Sequence, residues 1–250
     1  MRLNLGAVNS ATKYPSIPTY HILGERGMLT EEATAFEGDV VFTEKVDGTN
    51  GRIVLLPDGD WLIGSREELL TARGDRVANP SQSIAATLSP LAEKLTVVDT
   101  DYATVFFLEV YGHKIGAAAK QYTTTGSTGY RLFDVAFVPL HVLDWHREQI
   151  ANWRDSTGPR WATESTLHRI SESENVQLVP RLGTMDGSKL PTDIGGMNAW
   201  LGSMLPRTFV SLDEEETNGK AEGIVLRSAD RSVIAKARFE DYERTLRRRK

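Results

Sequence analysis

The chain has 250 residues, of which 40% are hydrophobic and 25% charged, with a net charge of -5 and no cysteine. That length suits one large domain or two small ones around a buried core. The absence of cysteine excludes disulfides, thiolate metal sites and a cysteine nucleophile. The acidic balance disfavours purely electrostatic binding to nucleic acid. It is uneven, however: residues 236–250 carry seven Lys or Arg against three Asp or Glu, a local +4 that leaves -9 for the rest. No apolar run reaches bilayer length, and MRLNLGAVNSATKYPS lacks the apolar core of a secretory signal. A cytoplasmic protein is the expectation, compatible with a cysteine-free chain.

In chain order, KYPSIPTYHIL (13–23) reads as an extended, proline-punctuated stretch. DVVFTEK (39–45) reads as a strand that ends at Lys45 and enters the loop VDGTNG. GRIVLL and WLIGS flank PDGD, which predicts a β-hairpin with an Asp-Gly turn. From Ser81 to Leu95, the positions Ile84, Leu88, Leu91 and Leu95 keep helical spacing. Ser89-Pro90 offers a cap and first turn for a second helix there. TVFFLEVYG and YRLFDVAFV are rich in aromatic and branched residues, as strands are. His141 to Trp153 predicts a helix with Val142, Trp145, Ile150 and Trp153 on one side. Residues 155–206, punctuated by glycine and proline, suggest only short helices and loops. EGIVLRS and SVIAKARF flank ADR as a second hairpin. FEDYERTLRRRK predicts a final helix whose early acids and late bases match the helix dipole.

The densest chemistry lies in EKVDGTN, Glu44 to Asn50. A strand-end lysine precedes a tight Asp-Gly loop, where Gly48 permits backbone geometry that other residues resist. Such a lysine can be a nucleophile once neutral. With a free pKa of about 10.4, only roughly one in a few thousand is neutral at pH 7, and bringing it to about 7 requires about 4–5 kcal/mol against the ammonium. Burial and nearby cations supply that. Taken alone, Lys45 is more often a solvated strand-end lysine. The last hairpin offers the cations. With its turn centred on Asp230, Glu222 falls opposite Arg238 and Ile224 opposite Lys236, which keeps Glu222, Lys236 and Arg238 on one face. A one-residue slip would separate them. A carboxylate beside two cations suits a metal-bound phosphate.

These residues carry a resemblance. EKVDGTN resembles the KxDGxN signature of the covalent nucleotidyltransferases, the superfamily of ATP-dependent DNA ligases, RNA ligases and mRNA capping enzymes. Ser65–Glu67 resembles its motif Ia, FFLEVYG (106–112) motif III and RLFDVAF (131–137) motif IIIa. EGIVLR (222–227) resembles motif IV and IAKAR (234–238) motif V, with Arg238 where many members have a second lysine. Glu44 before the lysine, the Thr-Asn ending of motif I, KYPSI upstream and Lys-x-Arg in motif V make the chain most similar to the RNA ligase 2 family. Asp47 departs from that family, which often has His there.

The resemblance implies an α+β nucleotidyltransferase domain over residues 1–250, with two antiparallel sheets, flanking helices and an ATP cleft between the sheets; with only twelve residues after Arg238, no OB domain is expected. It implies ATP and Mg2+ (or Mn2+) as cofactors and RNA with 5′-phosphate and 3′-hydroxyl ends as partner, and it admits a separate end-healing kinase or phosphatase. Lys45 would attack the ATP α-phosphorus to form lysyl-AMP, with Asp47, Glu109, Lys236 and Arg238 in the catalytic set. Glu44 and the backbone near Val46 would contact adenine, and Phe133 would stack on it. Asn50 and Glu109 would lie near the ribose and reacting phosphate, Arg66 near a phosphate, and Glu222 at the metal.

Plainer readings stand beside these. Glu109 could be an edge-strand carboxylate facing water, Phe133 core, Asn50 a turn residue and Glu222 a partner of Arg238. Arg66 competes with Arg73 and Arg76 for its role. RRRK reads more readily as a helix terminus than as a nucleic-acid grip, and DEEE (213–216) as a solvated loop. The histidines show no metal-ligand spacing, and His113 reads as structural. The rival functions are a minimal DNA ligase, a capping-type guanylyltransferase, which normally needs an OB domain, and a catalytically dead nucleotide- or RNA-binding module, for which an intact nucleophile is superfluous.

Overall fold

A computed structural model describes residues 3–73, 75–77, 83–213 and 218–249. Ser81, residues 214–216 of the acidic run and Lys250 lie outside the described residues. The elements are α1 (Leu5–Ala11), β1 (His21–Leu23), β2 (Leu29–Ala33), β3 (Asp39–Lys45), β4 (Thr49–Leu55), β5 (Trp61–Ser65), β6 (Leu69–Ala72) and β7 (Asp75–Arg76). They continue with α2 (Ile84–Ala92), β8 (Tyr102–Gly112), β9 (Thr128–Pro139), α3 (Arg147–Ser156), β10 (Arg160–Trp161) and α4 (Glu164–Ser173). The last are β11 (Arg181–Asp186), α5 (Ile194–Met204), β12 (Gly223–Ser228), β13 (Ile234–Arg238) and α6 (Phe239–Arg248). Among the described residues the fold is thus mixed α and β, with antiparallel sheets of seven, four and two strands rather than two sheets. Among the described residues no helix is long and apolar enough to cross a membrane.

The chain divides into two compact units. The first comprises Met1–Pro15, Gly48–Ala117 and Thr128–Leu178, and holds the seven-stranded sheet, ordered β10-β9-β8-β4-β5-β6-β7. Odd residues of β4 and even residues of β8, such as Ile53, Phe106 and Leu108, meet Ile84, Leu88 and Leu91 of α2 in one buried cluster. Each such side chain, fully buried, contributes about 1.5–3 kcal/mol. Here α2 runs unbroken through Pro90 instead of restarting at Ser89. Pro90 and Ala86, one turn before it, are exposed, so the carbonyl that Pro90 cannot serve is open to water. Leu88 and Leu91 remain on the buried face.

The expected helix from His141 is instead a 3-10 segment, Leu140–Asp144, followed by α3. His146 is extended and starts a new helix, its amide donating to the Gln149 side chain at 3.0 Å. Val142 and Ile150 are both buried, but from different segments.

The second unit comprises Ser16–Asp47, Ala118–Ser127 and Val179–Lys250. Its four-stranded sheet has the order β11-β3-β12-β13. Even residues of β3, Val40 and Phe42, join Ile224, Leu226, Met197, Leu201 and Tyr242 in a second core. β11 lies in the region that read as loops; its alternation is weak, and its pairing with β3 is what makes it a strand.

Candidate active site

In the second unit, β12 lies between β3 and β13, so Gly223 pairs with Lys45 on one side and Arg238 on the other. One step along, Val225 pairs with Thr43 and with Lys236. Cross-strand partners share a face, so Lys45, Lys236 and Arg238 lie together. The hairpin register is one residue away from the expected one: Lys236 faces Val225 and Arg238 faces Gly223, while Ile224 turns to the core. The reason is a four-residue loop in place of three. Ser228 bonds to Val233, Arg231 takes φ 70°, and the Asp230 carboxylate accepts from Ser232.

Glu222 precedes β12, where strand alternation no longer fixes its direction, and Lys45 Nζ donates to its Oε2 at 2.5 Å. Burial raises the pKa of the Glu222 carboxyl, while Lys45 and Arg238 pull it the other way. Arg238 is itself held by Asp241, with Nε to Oδ2 at 2.8 Å and Nη2 to Oδ1 at 3.0 Å. Asp241 is 1% exposed and also accepts from Arg244 at 2.5 Å. Gly223 has no room for a side chain, because a Cβ would lie 2.2 Å from the Ala237 carbonyl oxygen.

Glu44 and Val46 alternate to the opposite side from Lys45 and are buried. The Glu44 carboxylate accepts from the Thr208 hydroxyl and from the Phe209 amide at 2.8 Å, so its carboxylate is not brought to Lys45. Asp47 is exposed, and its amide donates to the buried Tyr122 hydroxyl at 2.6 Å. Burial pushes that hydroxyl's pKa up, keeping it neutral.

The first unit takes over the motif at Gly48. Gly48 donates to Glu109 Oε1 at 3.1 Å, and a Cβ on it would lie 2.3 Å from the Val110 carbonyl oxygen. Asn50 pairs with Glu109 across β4 and β8, so the two share a face. Among the described residues, Asn50 Oδ1 is buried without a hydrogen-bond partner. Glu109 is no edge-strand residue, since β8 lies between β4 and β9. Phe133 occupies a β-bulge opposite Phe107 and Leu108, which re-aims its half-buried ring. Tyr14 meets Phe133, Phe107 and Trp161 edge-on and donates to Asp134 at 2.9 Å. Arg66 is half-exposed in the turn after β5, its carbonyl accepting from the buried Arg52 at 3.1 Å. Arg73 pairs with Glu93 at 3.6 Å; the side chain of Arg76 lies outside the described residues.

Tyr122, Thr208, Phe209, Arg52 and Asp241 were not singled out from the sequence. Asp241 had a signal, three residues after Arg238 at the start of a helix. The acidic run is more than a solvated loop at Asp213, which accepts from Thr123, Thr124 and Thr125. Arg248 and Arg249 fold back onto Arg26 and Glu31, as a helix terminus does. Among the described residues no group of three or more His, Cys, Asp or Glu could hold a metal ion.

The chain is similar in fold to RNA ligase structures from Naegleria gruberi. A mutant with ATP and Mn matches at 14% identity and TM-score 0.56, over 93% of this chain and 62% of that one. The enzyme with PPi matches at 15% identity and TM-score 0.56, over 94% and 64%. A mutant with AMP and Mn matches at 17% identity and TM-score 0.55, over 91% and 62%. The chain therefore spans less than two thirds of the length of these structures. No curated protein matches it. The family model described as RNA ligase matches residues 38–239, which is most of the chain and takes in Lys45 through Arg238, and the chain belongs to that family.

Proposed function

We propose that this chain is an ATP-dependent RNA ligase of the RNA ligase 2 type, joining 5′-phosphate and 3′-hydroxyl ends through AMP carried on Lys45. The observation that carries this reading is the shared sheet face of Lys45, Lys236 and Arg238, with Glu222 at 2.5 Å from the Lys45 amine. The Naegleria gruberi structures with ATP, AMP, PPi and Mn support ATP and Mg2+ or Mn2+ as the reactants. The donor set fits them. One half-buried carboxylate among cations suits a divalent ion bound mainly through phosphate oxygens, and Asn50 Oδ1 awaits a donor such as a ribose hydroxyl.

A bound divalent ion supplies charge neutralisation at the phosphates. Glu222 would hold such an ion, and its carboxylate would then no longer pair with the Lys45 ammonium, which disfavours the charged amine; the ion pair would be the resting form of the nucleophile. After the ammonium gives its proton to solvent, the neutral Lys45 Nζ attacks the α-phosphorus; an N–P bond forms and the bond to pyrophosphate breaks. Lys236 and Arg238 neutralise the α-phosphate oxygens, the positioning and charge effect on which such transfers depend. A 5′-phosphate oxygen then takes AMP from Lys45, and the 3′-hydroxyl attacks that phosphate and releases AMP. Asp47 belongs to the loop that Tyr122 fixes beside Lys45. Phe133 stacks on adenine, the Val46 backbone contacts it, and Glu44 acts through Thr208 and Phe209. Asn50 and Glu109 serve the ribose and phosphate, and Arg66 a phosphate. Residues 1–250 act as one nucleotidyltransferase domain in the cytoplasm, on ends prepared by a separate kinase or phosphatase.

Intact mass after incubation with ATP and Mg2+ tests the chemistry: the wild type gains one AMP and Lys45→Ala gains none. An adduct that persists on Lys45→Ala moves the nucleophile elsewhere. Two nicked duplexes, differing only in ribose or deoxyribose at the 3′-hydroxyl terminus, test the substrate. Preference for ribose supports an RNA ligase; equal or better sealing of the all-DNA nick makes the protein a minimal DNA ligase.

A further inference from the structure

Within the first unit, a pocket of about 420 Å3 is lined by Asn9, Ser10, Lys13, Trp145, His146 and Arg147, among others. Among the described residues, none of those assigned to ATP lines it, and neither does any carboxylate. Its volume falls in the range of about 300–1,000 Å3 in which small ligands bind. The walls are fixed from behind. Arg154 donates to the carbonyls of Ser10 and Lys13 at 3.3 Å, and the fully buried Arg52 donates to the Asn9 side chain. Asn9 in turn donates to the Glu67 carbonyl at 3.1 Å, which ties this wall to the turn carrying Arg66.

The charge around the pocket is lopsided. Lys13 pairs with Glu67 at 2.9 Å. Arg52 has no ion pair among the described residues; burial, then the charge of Arg154, push it down to about 10. Arg147 is exposed and makes no ion pair among the described residues. His146 and Arg147 are the cap and first residue of α3, so the positive end of that helix borders the pocket as well. Trp145 is half-buried and lines the pocket, with the His141 ring tilted at 60° beside it, centroids 5.3 Å apart. Cations, a helix N-terminus and an indole around one concavity match the chemistry of a nucleotide in a single strand: a phosphate and a base.

We propose that this pocket holds one nucleotide of the RNA strand, its phosphate on Arg147 and Lys13 and its base on Trp145. The identity of the strand rests on the ligase reading; the anion-and-ring chemistry does not. The test is fluorescence anisotropy of a labelled single-stranded RNA 12-mer with a 5′-phosphate, titrated with the full chain over a range of salt. Arg147→Glu should weaken binding at least tenfold, and Lys94→Glu, the same charge change at an exposed site of the same unit, should not. Arg147→Ala should lower the slope of log K against log salt by about 0.7, the value of one phosphate contact on a single strand. Trp145→Ala should weaken binding about 5- to 150-fold with the slope unchanged. Trp145→Phe should bind nearly as wild type while losing part of the RNA-induced tryptophan quenching, which separates stacking from misfolding.

Arg147→Glu binding no worse than Lys94→Glu overturns the proposal. So does a parallel fall of AMP-adduct formation in Arg147→Glu, because the pocket would then serve ATP. Selective displacement of RNA by inorganic phosphate, compared with chloride at equal ionic strength, overturns it in favour of a free-phosphate site. A wild type that forms no AMP adduct yet gives the expected binding series would remove the ligase reading and leave the pocket standing.

Discussion

Lys45, Glu222, Arg238 and Asp241 of the second unit form a series of charged partners, whereas Gly48, Asn50, Glu109 and Phe133 of the first unit are held by strand pairing, a bulge and ring contacts. Apart from Asp241, both groups come from the same motif series, yet they are stabilised differently. Charged partners can be exchanged for a ligand's charges, so under the proposed function the second unit would be the one that responds to phosphate and metal. Fixed backbone and packed rings change little on binding, so the first unit is built to present shape. Substitutions in the charged group should therefore impair chemistry with small effects on folding. Substitutions in the packed group should affect both.

The largest effect is expected at Lys236. Lys236→Ala should cut AMP-adduct formation at least 100-fold, the scale of losing a positioned charge at a reacting phosphate, while Arg247→Ala on α6 should leave it near wild type. Equal losses would mean that Lys236 contributes only general positive charge. Gly48→Ala comes next. Its Cβ would fall 2.3 Å from the Val110 oxygen, so β4 and β8 must shift. It should lower the melting temperature by several degrees as well as the adduct yield, and loss of yield with an unchanged melting temperature would contradict the packed-group reading. Asp241→Asn should slow adduct formation about tenfold by loosening Arg238, and far less in an Arg238→Lys background. Independent, multiplying losses would show that Asp241 acts on the fold instead.

Much of this site could be read from the sequence because the order of the motifs, and not any one residue, carried the information. The strand ending at Lys45, both hairpins and α6 follow from alternation, turn residues and charge order, which are local. The failures lie where distant parts of the chain decide. The last hairpin is one residue out because a loop of four, stabilised by Asp230 and Ser232, is as compatible with ADRS as one of three. Glu44 is expected at adenine from motif order, but its partner Thr208, 164 residues away, has no signal in the sequence. β11 has no marked pattern of its own, and Phe133 reached its position through a bulge that composition does not announce.

The smallest effect concerns the loop that carries Tyr122. Asp213 accepts from the Thr124 amide at 2.6 Å and from the hydroxyls of Thr123, Thr124 and Thr125 at 2.7–2.8 Å. These bonds, the Thr124 amide first, hold its carboxyl well below the usual carboxylate range. A pKa lowered by folding adds stability that is complete above the unfolded value of about 3.9 and is lost as pH falls through the folded value. Asp213→Asn should therefore lower the melting temperature at pH 7, and the gap from wild type should close only in acid below pH of about 3.9. The same loop places the Tyr122 hydroxyl on the Asp47 amide, next but one to Lys45. Hydrogen exchange at that amide should accelerate in Asp213→Asn at pH 7 while the core strands β3 and β12 keep their protection. A gap in melting temperature that stays constant into strong acid would show that Asn disturbs the loop by shape rather than by charge. Unchanged exchange at Asp47 would separate the threonine loop from the nucleophile's surroundings and confine Asp213 to local stability.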